Sequence, residues 1–174
     1  DATVEALEQL GYEVTTLGKG LYFEGAGDLL GFLDAWFGGY RQRSDIRAYA
    51  RLSEIFGREI IPVELVDRRF YHLDTCFCPL SGGELLYYPP AFDPYAQAVI
   101  ADRIREERRL VVPESDALRF ACNAVCVAKH VVLPEGCPDT MKLLEARGYE
   151  THPLPLDEFM KAGGSAKCLT LALD

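Results

Sequence analysis

Apolar and polar positions along the chain fall into a pattern that recurs. Leu7-Glu8-Gln9-Leu10-Gly11-Tyr12-Glu13-Val14 is echoed by Leu144-Glu145-Ala146-Arg147-Gly148-Tyr149-Glu150-Thr151. Each stretch predicts an amphipathic helix that stops at a glycine able to take the left-handed cap, followed by a short strand. Gly57-Arg58-Glu59-Ile60-Ile61 makes the same transition after a helix predicted over about 44–56. After each strand come a loop and an apolar segment: Leu21 to Leu30, Phe70 to Leu80, Phe120 to Ala128 and Lys167 to Leu173. With Phe23, Phe70, Phe120 and Cys168 as markers the intervals average about 48 residues, the length of one supersecondary unit.

Such units bury their faces only against neighbours. Strand, helix, strand, strand content at this period suits an α/β propeller whose loops converge on an axis. The first unit is represented only by a helix from about Thr3 to Leu10 and its last strands. For a ring of five units the expectation is an upstream companion segment of about ninety residues, of which this chain, opening at Asp1 rather than Met, carries none. The 174 residues are then one catalytic domain, a partial propeller.

Composition narrows the partners. Eighteen Lys+Arg against 27 Asp+Glu give a net charge of −9, which argues against nucleic acid or an anionic membrane as partner. Arg103, Arg105, Arg108 and Arg109, interleaved with Glu106 and Glu107, read as a salt-bridged helix surface. No apolar run approaches a membrane span and no secretory signal precedes the first helix. Six cysteines at Cys76-x-Cys78, Cys122-x3-Cys126, Cys137 and Cys168 give no paired zinc spacing, and the three histidines are scattered. Cys76, Cys78, Cys122 and Cys126 read as small core hydrophobes, and a reduced, cytoplasmic setting is expected.

Equivalent positions of a ring of repeats point to one place. The first motif, Tyr22-Phe23-Glu24-Gly25-Ala26-Gly27-Asp28, sets an acid before a glycine loop. The second, Tyr71-His72-Leu73-Asp74-Thr75, sets His and Asp two apart on one strand face. The third, Phe120-Ala121-Cys122-Asn123-Ala124, offers only an Asn. The fourth, Ala162 to Thr170, sets Cys168 at a strand start after Gly163-Gly164. Carboxylate, imidazole, carboxylate and thiol are the components of covalent catalysis by Cys with His as acid and base. Each has a structural counterpart: His72 a hydrogen-bonded core residue, the glycine loop a plain turn, Cys168 a buried thiol.

EGAGD, YHLDT and GGSAKCLT, in this order and spacing, resemble the arginine deiminase, dimethylarginine dimethylaminohydrolase and amidinotransferase superfamily. These guanidino-group-modifying enzymes have the pentein fold, a five-bladed α/β propeller. The resemblance covers the chain from about Thr3 on and implies roughly the last three and a half units. It implies Cys168 as nucleophile, His72 as general acid/base, and Glu24 and Asp74 as the carboxylates that bind the guanidinium. The segment Gly39-Tyr40-Arg41-Gln42-Arg43-Ser44 resembles the family's glycine-to-arginine stretch, which implies that Arg43 holds the substrate's carboxylate. Arg43, Arg47 and Arg51 also fall at helical spacing, as a solvated face would. Two departures stand out: the family's E-G-G-D reads here with Ala26 inserted, which alters the loop before Asp28, and a further guanidinium-binding acid belongs to the family's N-terminal units.

The implied function is hydrolysis of a guanidino C–N bond, in arginine or an N-methylated arginine, through a Cys-linked amidino intermediate, with no metal or organic cofactor. The alternatives are amidino transfer to an amine and a non-catalytic pentein of the ribosome-binding kind, which would lack the Cys and His. The expected partners are the small guanidino substrate, the companion segment and a second copy of the chain.

Overall fold

The computed structural model describes residues 2–170. After helix α1 (Ala2–Gln9) the chain builds one arrangement three times. The first unit is the hairpin β1 (Leu29–Phe32) and β2 (Ala35–Tyr40), helix α2 (Ile46–Phe56) and strand β3 (Ile60–Glu64). The second is β4 (Phe77–Pro79), β5 (Leu85–Tyr87), α3 (Pro94–Arg103) and β6 (Arg109–Val111). A short helix α4 (Glu114–Ala117) leads to the third: β7 (Val125–Val127), β8 (His130–Pro134), α5 (Pro138–Glu145) and β9 (Glu150–Leu154), followed by α6 (Asp157–Lys161). Each sheet has three strands in sequence order, an antiparallel hairpin and then a parallel strand returned by the helix. The first strands begin at Leu29, Phe77 and Val125, 48 residues apart each time (29 to 77, 77 to 125).

Local chemistry sets the boundaries. The Asp45 carboxylate accepts from the Arg47 N–H to cap α2, and Gly57 closes it at φ 60°. Asp93 caps α3 with Pro94 in the first turn, where its missing N–H costs nothing. The helices bury Ala48, Tyr49 and Leu52, then Ala96 and Ile100, then Thr140 and Leu144. One core runs through all three units. The Phe37 and Phe77 rings lie 5.0 Å apart across the first boundary, and Cys78 Sγ reaches the Ala124 carbonyl at 3.5 Å across the second.

Several expectations change. His72-Leu73-Asp74 is not strand: Leu73–Thr75 is a single 3-10 turn, closed by the Cys76 N–H on the Leu73 carbonyl. Cys168 likewise sits in a 3-10 turn, Lys167–Leu169, and the rest of the strand expected to Leu173 lies outside the described residues. Arg43 precedes α2, so it does not share a helical face with Arg47 and Arg51. The arginine-rich run is no helix surface either. It spans the end of α3, the turn Glu106–Arg108 and β6, and Arg103 pairs with Glu59 of the first unit at 2.7 Å. The helix of the second unit ends there, because β6 must return beside β5.

Gly38 is the tightest glycine in the sheets. A Cβ there would stand 2.6 Å from the Tyr49 ring of α2, so side chain and helix cannot both fit. Gly38→Ala is expected to lower stability by about 1–3 kcal/mol, the range of core overpacking, as measured by denaturant midpoint. An unchanged midpoint would show that α2 is free to shift.

Candidate active site

The site is assembled by turns that precede the first strand of each unit. Gly25–Gly27 and Leu73–Thr75 are 3-10 turns, residues 121–123 form the corresponding turn of the third unit, and Lys167–Leu169 is the fourth. Glu24 and His72 are therefore equivalent, each the residue before its turn. Cys168 is the middle residue of its turn, as Asp74 is of Leu73–Thr75.

The repeats deliver two pairs. His72 Nε2 lies 2.8 Å from Glu24 Oε2, and Cys168 Sγ lies 3.8 Å from Asp74 Oδ2. Tyr71, His72, Asp74, Lys167 and Cys168 line one cleft of about 430 Å³. A larger cleft of about 690 Å³, beside Leu33, Gly82 and Arg105, is lined by no cysteine, histidine or carboxylate and lies outside this chemistry. Gly27 lets the ring approach: a Cβ there would stand 3.1 Å from His72 Nδ1. Gly164 does the same for the thiol, since a Cβ would stand 2.9 Å from Cys168 Cβ.

Glu24 was expected on the guanidinium beside Asp74. Its carboxylate lies on His72, with Arg43 3.6 Å from its other oxygen. The His72 hydrogen bond, seconded by Arg43, holds the Glu24 carboxyl below its usual range. The inserted Ala26 is absorbed by the 3-10 turn and does not separate Glu24 from His72. Arg43 lies at the rim, half-exposed, its guanidinium 5.3 Å from the Tyr71 ring centre.

Asp74 is the buried carboxyl of the site. Burial pushes it up to about 6, His72 opposing that rise and Asp28 adding to it. Its Oδ1 has no hydrogen-bond partner among the described residues. Burial, reinforced by Asp74, also pushes the Cys168 thiol up, so at neutral pH it rests protonated. The pair fits a planar cation that donates to Asp74 and, by its charge, favours the thiolate.

Two buried side chains hold these turns in register, and neither was picked out as functional in the sequence. Asp28 accepts from the Leu73 N–H at 2.9 Å and from Ser44 Oγ at 2.7 Å. Asn123 accepts from the N–H groups of Ser165 (3.0 Å) and Cys168 (3.3 Å) on Oδ1. Its own carbonyl takes the Lys167 N–H at 3.0 Å, and its amide donates to the Asp74 carbonyl at 3.2 Å. The repeat offered one signal for Asn123, a polar residue at the position that Thr75 and Gly27 hold in the other units. Tyr71 was missed as well; its hydroxyl donates to the Gly163 carbonyl.

No protein-family model matches the chain. It is 47% identical over 166 residues to the bifunctional arginine dihydrolase/ornithine cyclodeaminase ArgZ of Synechocystis sp., covering 94% of this chain and 24% of that protein. It is 40% identical over 150 residues to the dimethylarginine dimethylaminohydrolase of Mycobacterium tuberculosis, covering 86% of this chain and 49% of that protein. With a repeat that gathers Cys, His and carboxylates in one cleft, the chain belongs to the guanidino-group-modifying superfamily of arginine dihydrolases and dimethylarginine dimethylaminohydrolases. Within it, the N-terminal domain of ArgZ covalently bound to a reaction intermediate superposes with a TM-score of 0.94 at 45% identity, over 98% of this chain and 64% of that one. The same domain bound to substrate gives 0.92 at 45% identity, over 97% and 63%. The chain thus spans about a quarter of the full ArgZ protein and about half of the mycobacterial one.

Two outcomes follow from the geometry. Because the folded value of Asp74 lies above its free value, the ionised carboxylate opposes folding at neutral pH, and this opposition fades as pH falls through about 6. Asp74→Asn is expected to raise Tm by several degrees at neutral pH, at about 2–4 °C per kcal/mol for a chain of this size. The gap should close in acid; a gap that stays constant with pH would contradict the burial of this charge. Asn123→Ala removes acceptor and donor together and is expected to cost about 1–3 kcal/mol. It should also change the rate at which iodoacetamide labels Cys168, read by mass spectrometry; an unchanged rate would mean that the turn holds without Asn123.

Proposed function

We propose that the chain carries the thiol half of a hydrolase that cleaves the guanidino C–N bond of arginine or an N-methylated arginine. The observation that carries this reading is Asp74, a buried carboxylate whose Oδ1 has no partner among the described residues and whose Oδ2 lies 3.8 Å from the Cys168 sulfur. That arrangement costs stability and suits a planar cation placed with its carbon over the thiol. The similarity to proteins named arginine dihydrolases, at 47% and 46% identity, favours arginine.

In this reading the guanidinium donates to Asp74 and its charge favours the Cys168 thiolate, the thiol proton passing to solvent water in the cleft. The thiolate attacks the guanidino carbon, forming a C–S bond. A C–N bond then breaks as His72, protonated and held by Glu24, gives its proton to the departing amine. The remaining amidino-thioether is attacked by water, whose proton passes to His72. The C–S bond breaks, and a ureido product leaves with the thiol restored. Glu24 thus serves His72 and leaves the guanidinium to Asp74, while Arg43 at the rim takes the substrate's carboxylate. Paired carboxylates bind a guanidinium better than one, so the second acid comes from a segment beyond the described residues, the expected companion units of a five-bladed ring. Residues 1–174 would then be one catalytic domain within that ring, working where thiols stay reduced.

Incubation with a haloacetamidine should leave one adduct, on Cys168, and Cys168→Ser should abolish it together with release of citrulline or ornithine and ammonia. An adduct on Cys126 or Cys137 would sink the assignment. Ligand binding should follow Asp74: arginine affinity of a protein bearing Cys168→Ser is expected to fall about tenfold per pH unit below about 6. A flat profile there would remove Asp74 from the guanidinium. Dimethylamine release without ammonia would move the substrate to dimethylarginine.

A further inference from the structure

The chain has three histidines, and two of them meet outside the residues that line the cleft. Strands β8 and β9 run parallel with His130 opposite Glu150 and Val132 opposite His152. Side chains alternate along a strand, so His130, Glu150 and His152 share the face opposite Val131, whose side chain enters the core. His130 Nδ1 lies 3.0 Å from His152 Nε2 and 3.4 Å from Glu150 Oε2, and His152 Nε2 lies 3.7 Å from Glu150 Oε1. These separations bracket about 3.3 Å, the edge of a tetrahedron with metal–ligand bonds of about 2.0 Å. All three side chains are reachable from solvent, at 55%, 67% and 42% relative exposure.

We propose that His130, Glu150 and His152 form a surface site for a divalent transition metal of the imidazole-preferring class, with Zn²⁺ as the reference ion. Two imidazole nitrogens and one carboxylate oxygen are the donor set that zinc accepts with water in the fourth position. A sheet is a firm scaffold for it, because the strand register fixes Glu150 against His130 and puts His152 one alternation further. The ligands come from both strands of the parallel pair, so a bound ion would tie the last strand of the third unit to its neighbour and stabilise the fold by mass action. The sequence concealed the set, since 20 residues separate His130 from Glu150 and no short motif spans that gap.

The test uses the full protein bearing Cys168→Ser, so that the thiol of the cleft cannot hold the ion. Calorimetric titration with ZnCl₂ should show one equivalent bound, with a rise in Tm. In the same background His130→Ala and His152→Ala, each compared with its own metal-free Tm, should weaken binding at least tenfold, no less than the loss of an outer-shell partner costs. Zinc X-ray absorption should show nitrogen and oxygen neighbours and no sulfur. Zinc uptake that persists unchanged in both histidine variants, a sulfur neighbour in the spectrum, or no uptake by the parent would overturn the assignment.

Discussion

The Asn123 carboxamide is the interaction on which the site depends. It is fully buried and commits every hydrogen bond to one junction: its oxygen and its own carbonyl hold three N–H groups of the loop 165–168, and its amide holds the Asp74 carbonyl. Without it the turn bearing the thiol and the turn bearing the carboxylate would keep the Tyr71 hydroxyl on the Gly163 carbonyl and the Cys168–Asp74 contact, beside apolar packing, which is not directional. Buried amide hydrogen bonds are directional and costly to leave unmade, so they fix a spacing that packing alone would let drift. Asp28 has the same role at the start of the first unit, binding the Leu73 N–H and Ser44.

These clamps explain how an unstable carboxylate is tolerated. Asp74 is buried, close to a second acid and beside a thiol, and burial with the neighbouring acid raises its pKa. The three-unit core offsets that cost, since rings such as Phe37, Phe77 and Phe92 are almost wholly buried across the unit boundaries. Strain at a site and compensation in the core behind it are what a catalytic role leads one to expect. The separation of Glu24 from Asp74 has the same logic. One acid, still part-exposed, is kept ionised by His72 and Arg43, while the other is desolvated and suited to a cation.

Much of the architecture was legible in the chain because the repeat is written in it. The glycines after the helices, the apolar segments and their interval near 48 residues reappear as three equivalent units. The 3-10 turns were not legible: Leu73-Asp74-Thr75 alternates as a strand would, and only the fold shows that the Asp28 side chain and the Leu73 carbonyl wrap it into a turn. The arginine-rich run failed for a related reason. Arg103 pairs with Glu59 and Arg108 with Glu84, both outside the run, while Arg105 finds its partner within it, Glu107, in a turn and not along a helix.

By itself the sequence determined the repeat period, the kinds of chemical group on the converging loops and the family those groups resemble, because propensity, caps and spacing are local properties. Only the tertiary structure decided which groups meet. It gave Glu24 to His72, set Asp74 against Cys168, placed Arg43 at the rim, made Asn123 the clamp, and brought His130 to Glu150 and His152. Those pairings join residues 20 to 94 positions apart. They depend on how neighbouring units pack and on the direction a side chain leaves a turn, which no local pattern encodes.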